Sequence, residues 1–188
     1  DCNHTGKDIN IPTRMTSELA RLIGYIIADG SVRDPGNSIS FISLCSSGLV
    51  DDFKYCIEKV FGCNVYIKRN QWKENSTQSF STVDLHSRKA VRFLAEIGLS
   101  GTCYHKKIPN AILESTKAHT IGCIRAIMDC DGWTDHNIGI VLSSPDCVKQ
   151  MHLIFDNLGI YGRYREYYHK GKMVAHRKTE DRKSLRGE

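Results

Sequence analysis

A chain of 188 residues, 40% hydrophobic and 25% charged, suffices for one domain or two small ones sharing a core, and its composition excludes fibrous, collagen-like and disordered classes. The net charge is +5, yet residues 1–160 carry 17 basic and 17 acidic side chains while residues 161–188 carry 9 and 4. A neutral chain with one basic end suits contact with a polyanion, and on composition alone suits a solvated tail equally well.

The eight cysteines include no CxxC pair and no Cys/His zinc spacing, and Cys56 and Cys123 sit in apolar runs where cysteine acts as a small hydrophobe. The N-terminus has no signal-peptide core, and no segment approaches the roughly 20 apolar residues of a membrane span. An intracellular, reduced protein with no membrane partner is expected.

In chain order, residues 1–15 form an N-terminal extension. A helix then runs from an N-cap at Thr16 or Ser17 to Ala28, with Gly30 just past its end as a candidate for positive φ. A hairpin turns at Asp34-Pro35-Gly36 into the alternating stretch Ser38, Ile39, Ser40, Phe41, Ile42. An amphipathic helix with Leu49, Val50, Phe53, Ile57 and Val60 closes at Gly62. Strands at 64–72 and 79–85, a helix at 87–97 and a short helix after Pro109 follow. The linker is placed at Glu114–His119.

The same order then recurs. LIGYIIADG (22–30) matches IRAIMDCDG (124–132) at an offset of 102, and Ser46 through Gly62 matches Ser143 through Gly159 at an offset of 97. The second copy has therefore lost five residues after its Asp-Gly. Its strands fall at 162–169 and 172–177, and its final helix is missing or vestigial. The units are bounded at 16–115 and 116–188.

Each motif helix carries a stripe of small residues: Ala20, Gly24, Ala28 and the corresponding Gly122, Ala126, Cys130. Such stripes let two helix backbones approach closely, and a helical glycine, costing roughly 1 kcal/mol, implies packing that compensates. Packing the two helices about a pseudo-two-fold brings Asp29 and Asp131 together at their negative ends, where each carboxylate is disfavoured by the dipole and by the other. A divalent cation held by carboxylate and main-chain oxygens removes that penalty, and hard oxygen donors suit Mg²⁺.

These residues carry a family resemblance. LIGYIIADG and, more loosely, IRAIMDCDG resemble the paired motifs of LAGLIDADG (dodecapeptide) homing endonucleases of the single-chain, two-motif kind that includes intein-encoded enzymes. The resemblance extends over about residues 16–177 and includes HKKIPNAIL before the second motif. It implies an α+β fold of duplicated αββαββα units, forming a saddle of two antiparallel sheets with the motif helices at its centre. It further implies a monomer that makes a double-strand break in DNA at a long asymmetric target. The implied cofactor is Mg²⁺, with Mn²⁺ as a substitute. The ligands it implies are Asp29 and Asp131, with Gly30 and Gly132 contributing main-chain oxygens; Asp129 falls at a more variable position.

By the same resemblance Lys106 is the third catalytic group, with Lys107 an adjacent rival. No lysine lies at the equivalent place in the second unit, where Lys170 or Lys172 are substitutes. On strand parity, Tyr66, Lys68, Asn70 and Trp72 in the first unit and Arg163, Arg165, Tyr167 and His169 in the second share a face that the resemblance turns toward DNA, joined by Lys73, Lys172, Arg33, Ser38, Ser40 and Lys107. Splicing is not expected of this chain, which lacks a terminal nucleophile and a terminal His-Asn. The alternative function is a non-cleaving LAGLIDADG binder of nucleic acid, a regulator or intron maturase. A protein-interaction role is disfavoured by the basic, aromatic strands at 163–172.

Overall fold

The computed structural model describes residues 9–43, 47–72, 79–169 and 172–175. Helix α1 (Ser17–Ala28) leads into β1 (Gly30–Arg33) and β2 (Ser38–Ser43), then α2 (Ser47–Phe61), β3 (Ile67–Trp72), β4 (Ser79–His86) and α3 (Arg88–Glu96). A single turn, α4 (Asn110–Leu113), precedes α5 (Lys117–Asp131). The order then repeats as β5 (Gly132–Thr134), β6 (Ile138–Ile140), α6 (Pro145–Asn157), β7 (Glu166–His169) and β8 (Lys172–Ala175). The fold is α+β with antiparallel sheets. Among the described residues no helix is long and apolar enough to cross a membrane.

The Thr16 side chain caps α1 by accepting from Leu19 N at 3.2 Å. Its faces explain its central place: Leu22, Ile23 and Ile26 are completely buried, each worth roughly 1.5–3 kcal/mol against exposure. Arg21 and Tyr25 tie α1 to α2 through Asp52, with Arg21 Nε to Asp52 Oδ2 at 3.1 Å and the tyrosine hydroxyl donating at 2.7 Å. The corresponding second-unit residues are Cys123, Ile127 and Lys149, which cannot make this network. The two units share an outline but are held together by different chemistry.

The small-residue stripes do bring α1 and α5 into close contact, but the two stripes are unequal. A Cβ on Gly24 would stand 2.3 Å from the Cys123 carbonyl oxygen and 2.8 Å from Ala126 Cβ. At Gly122 an added Cβ meets only Arg21 Cγ, at an ordinary 3.8 Å. Gly122→Ala is therefore expected to raise stability, by up to about 1 kcal/mol through helix propensity. Thermal denaturation of the purified variant checks this, and a lower melting temperature contradicts it.

The first unit builds one four-stranded sheet in the order β1-β2-β4-β3, whose buried side presents Val32, Ile39, Phe41, Val83 and Leu85 to the helices. The second does not form a matching sheet among the described residues: β5-β6 and β7-β8 are separate two-stranded sheets. The five-residue loss after Asp131 explains part of this, since β5 and β6 are only three residues long. In that short hairpin the Trp133 ring lies against Gly139, where a Cβ would come within 2.2 Å of it.

Other boundaries move little. Gly62 (φ +64°) and Gly159 (φ +78°) close α2 and α6 in the left-handed region. The linker is shorter than expected, because Thr116 accepts from His119 N at 3.4 Å and α5 begins at Lys117, inside the expected 114–119 span.

Candidate functional site

Asp29 caps the C-terminus of α1, its N–H bonded to Tyr25 O, and Asp131 is the last residue of α5. The close helix contact sets both carboxylates on the wall of one cavity of about 180 Å³, with Ile27, Ala28, Cys103, Lys106, Ser144 and Cys147 among its other lining residues. Residues 102 apart in sequence thus meet as the duplicated motif predicts.

Lys106 also reaches this cavity. It is only 7% exposed, and its ammonium group donates to Ile26 O (2.6 Å), Ile27 O (3.0 Å) and Gly30 O (2.7 Å), with Ala28 O farther off at 3.4 Å. It is a cationic cap on carbonyls at the negative end of α1. Its neighbour Lys107 is instead exposed and pairs with Asp146 at 2.9 Å.

The electrostatics follow from crowding. Burial pushes both carboxyls up, Asp131 to about 6 with repulsion from Asp29 added, while the Lys106 charge pulls both back. Burial pushes the Lys106 ammonium down, against the attraction of both carboxylates. Asp131 therefore holds a proton in the folded state at pH values where the unfolded chain has released it. Its contribution to stability is complete below pH about 4 and lost as pH rises through about 6.

Asp131→Asn should accordingly raise the melting temperature of metal-free protein at pH 8 and leave it unchanged at pH 4. With solvent screening the gain is about 1 kcal/mol, or roughly 2–4 °C. A lower melting temperature at pH 8 contradicts this account.

The residues present fit a divalent cation in one respect: two carboxylates whose repulsion is relieved by added positive charge line a single cavity. Among the described residues no three His, Cys, Asp or Glu side chains are arranged so that they could hold a metal ion between them. Further ligands would have to come from the main chain, water or a substrate phosphate, which is how Mg²⁺ is commonly held.

Gly30 and Gly132 directly follow the two acids without being among the cavity's lining residues, and Gly30 is buried with its carbonyl accepting from Lys106. Gly30 is not in the positive-φ region either. These positions are glycine because the chain doubles back over its own helix. A Cβ would meet Ile26 Cα at 2.6 Å in the first case and Met128 O at 2.4 Å in the second.

On the open face of the first sheet, Arg33, Tyr66 and Lys68 are exposed and Ser40 is half-buried. Ser38 is buried at 7% exposure, which removes it from the surface. The strict alternation expected from Tyr66 onward breaks, because the β3-β4 register shifts between Lys68 and Gln71. Gln71 accepts from Thr82 Oγ1 at 3.4 Å, and Thr82 is the cross-strand partner of Lys68, so Gln71 joins that face.

Asp84, 3.8 Å from Lys68, and the exposed His86 also lie on this face and were not anticipated. Pairing of β4 with β2, which alternation within one strand does not reveal, places them there. In the second unit Arg163 and Arg165 are exposed. Lys73 and Lys170 lie outside the described residues, as do the side chains of Asn70, Trp72, Tyr167, His169 and Lys172.

Residues 16–98 match the family model for the LAGLIDADG-like domain. Among curated proteins, the chain is 26% identical over 166 residues to an A-type ATP synthase subunit of Pyrococcus abyssi, covering 86% of this chain and 15% of that protein. It is 23% identical over 165 residues to the iron-sulfur cluster assembly SufBD family protein ML0593 of Mycobacterium leprae, covering 85% of this chain and 18% of that protein. The chain thus spans less than a fifth of the length of either relative.

Among solved structures, the homing endonuclease I-DmoI in complex with DNA and Ca aligns at a TM-score of 0.59 and 14% identity, over 90% of this chain and 86% of that one. The N-terminal LAGLIDADG domain of DUF199/WhiA aligns at 0.54 and 13%, over 94% and 90%. Residues 16–98 thus carry a LAGLIDADG-like domain, and the chain as a whole has the fold shared by I-DmoI and the LAGLIDADG domain of DUF199/WhiA.

Proposed function

We propose that the chain is a site-specific, Mg²⁺-dependent endonuclease that makes a double-strand break in DNA, working as a pseudo-symmetric monomer. The observation that carries this is the meeting of Asp29 and Asp131, from two duplicated motifs, on one cavity beside a buried lysine. Asp29 and Asp131 would hold the divalent ion. When bound, it supplies Lewis-acid stabilisation of charge developing on the phosphodiester, so that water attacks phosphorus and the 3′ oxygen departs.

Lys106 keeps a fixed positive charge beside the acids and holds the end of α1 in place. Arg33, Ser40, Tyr66 and Lys68, with Gln71, Asp84 and His86, would read and grip the duplex on the first side, and Arg163 and Arg165 on the second. Solved structures of I-DmoI with target DNA and Mg, Mn or Ca support both metal and substrate.

The rival reading, nucleic-acid binding without cleavage, draws on the same fold in DUF199/WhiA. It leaves the two repelling carboxylates without a purpose. The curated relatives also bear on origin. An iron-sulfur assembly protein and an ATP synthase subunit have no shared activity, yet both contain a segment resembling this chain. A module inserted into unrelated host genes, as an intein-encoded nuclease is, accounts for that.

The test is a plasmid bearing the uninterrupted host-gene site, incubated with the protein in Mg²⁺ or in EDTA. Linear product only in Mg²⁺ is expected. Retarded but uncut DNA in both conditions gives the binder reading.

A further inference from the structure

We propose that Ser144, the cap of α6, and Gln150 within it are positioning residues that seat Lys106 in the acid cavity, so that the second unit builds a group serving the first. This rests on reading the cavity as a cleavage site. Residues 105–109 belong to no helix or strand, so their main chain is held by what it touches.

The Ser144 hydroxyl donates to the Lys106 carbonyl at 2.6 Å and accepts from Cys147 N at 3.3 Å as the cap of α6. Gln150 grips Ile108 at both main-chain groups, accepting from its N–H at 2.8 Å and donating to its carbonyl at 3.0 Å. Ser144 is 2% exposed, so its bond to the Lys106 carbonyl is shielded from competing water, while the Gln150 bonds to the 1% exposed Ile108 are partly buried. Lys107 and Asp146 add an exposed pair on the same two segments.

The bonds act on the main chain on either side of a long, rotamer-rich side chain. They fix the Cα from which the Lys106 ammonium crosses to α1, where Asp29, Asp131, Cys103 and Cys147 surround it. Fixing that origin is what preorganises a flexible cation.

Two measurements on Ser144→Ala, Ser144→Thr and Gln150→Leu test the proposal in the full chain. One is amine labelling of Lys106, read by mass spectrometry. The other is single-turnover cleavage of the host-site duplex, with affinity for that duplex measured separately. Ser144→Ala and Gln150→Leu should label Lys106 about tenfold faster and cut about tenfold more slowly, at affinity within about twofold of wild type, and Ser144→Thr should restore both by keeping the hydroxyl.

Unchanged labelling in Ser144→Ala overturns the seat. Faster labelling with unchanged cleavage overturns the positioning role. If wild type cuts nothing, the nuclease reading falls, and labelling alone decides the seat. If Gln150→Leu does not fold, the Ser144 pair decides.

Discussion

Lys106→Met should cost about 3 kcal/mol of stability, lowering the melting temperature by roughly 6–12 °C, a large loss for one side chain. The ammonium satisfies carbonyls at the end of α1 with bonds as short as 2.6 Å, in a place only 7% exposed to water. Methionine fills the volume and donates nothing, so buried carbonyls are left unpaired and the two carboxylates lose their counter-charge. Lys107→Met is the control, since Lys107 and Asp146 are both more than half exposed and such a pair contributes little. Thermal denaturation of the two variants side by side is the measurement. Equal, small losses would contradict the capping role of Lys106.

Gly24→Val is expected to be comparably severe, at about 3 kcal/mol, for a different reason. The new Cβ would stand 2.3 Å from the Cys123 carbonyl oxygen, and main chain cannot swing aside as a flexible side chain can. The two motif helices must separate, and Asp29 and Asp131 separate with them. Calorimetry should show the loss of stability, and cleavage should fall further than stability alone explains, because the site is built across that contact. A Gly24→Val protein as stable as wild type would mean that the close contact of α1 and α5 is not what holds the units together.

Much of this was legible in the sequence because it repeats within short spans. The Thr16 cap, the apolar face of α1, the closing glycines 62 and 159 and the paired Asp-Gly ends are local or duplicated patterns, and duplication let two weak signals reinforce each other. What escaped depends on distant partners or on exact backbone geometry. The break in alternation after Lys68 comes from a register shift against β4 that nothing in β3 announces. Gly30 invited a positive-φ assignment, whereas its constraint is the Cα of Ile26 lying beneath it.

The destination of Lys106 was implied by resemblance. That its charge is spent on the main chain of residues 26–30 could not be read from KKIP. The grip of Ser144 and Gln150 on residues 106–108 spans about forty residues of sequence and carries no local signature.

The central claim is that Asp29 and Asp131 act together on DNA. End-labelled duplex carrying the host-gene site, cut in Mg²⁺ by wild type, Asp29→Asn and Asp131→Asn, tests it most directly, because asparagine keeps the shape of each side chain and removes its charge. Cleavage of both strands by wild type, with loss of about a thousandfold or more in each variant and retention of DNA binding, is the predicted result. Cleavage by either variant at the wild-type rate would contradict the account.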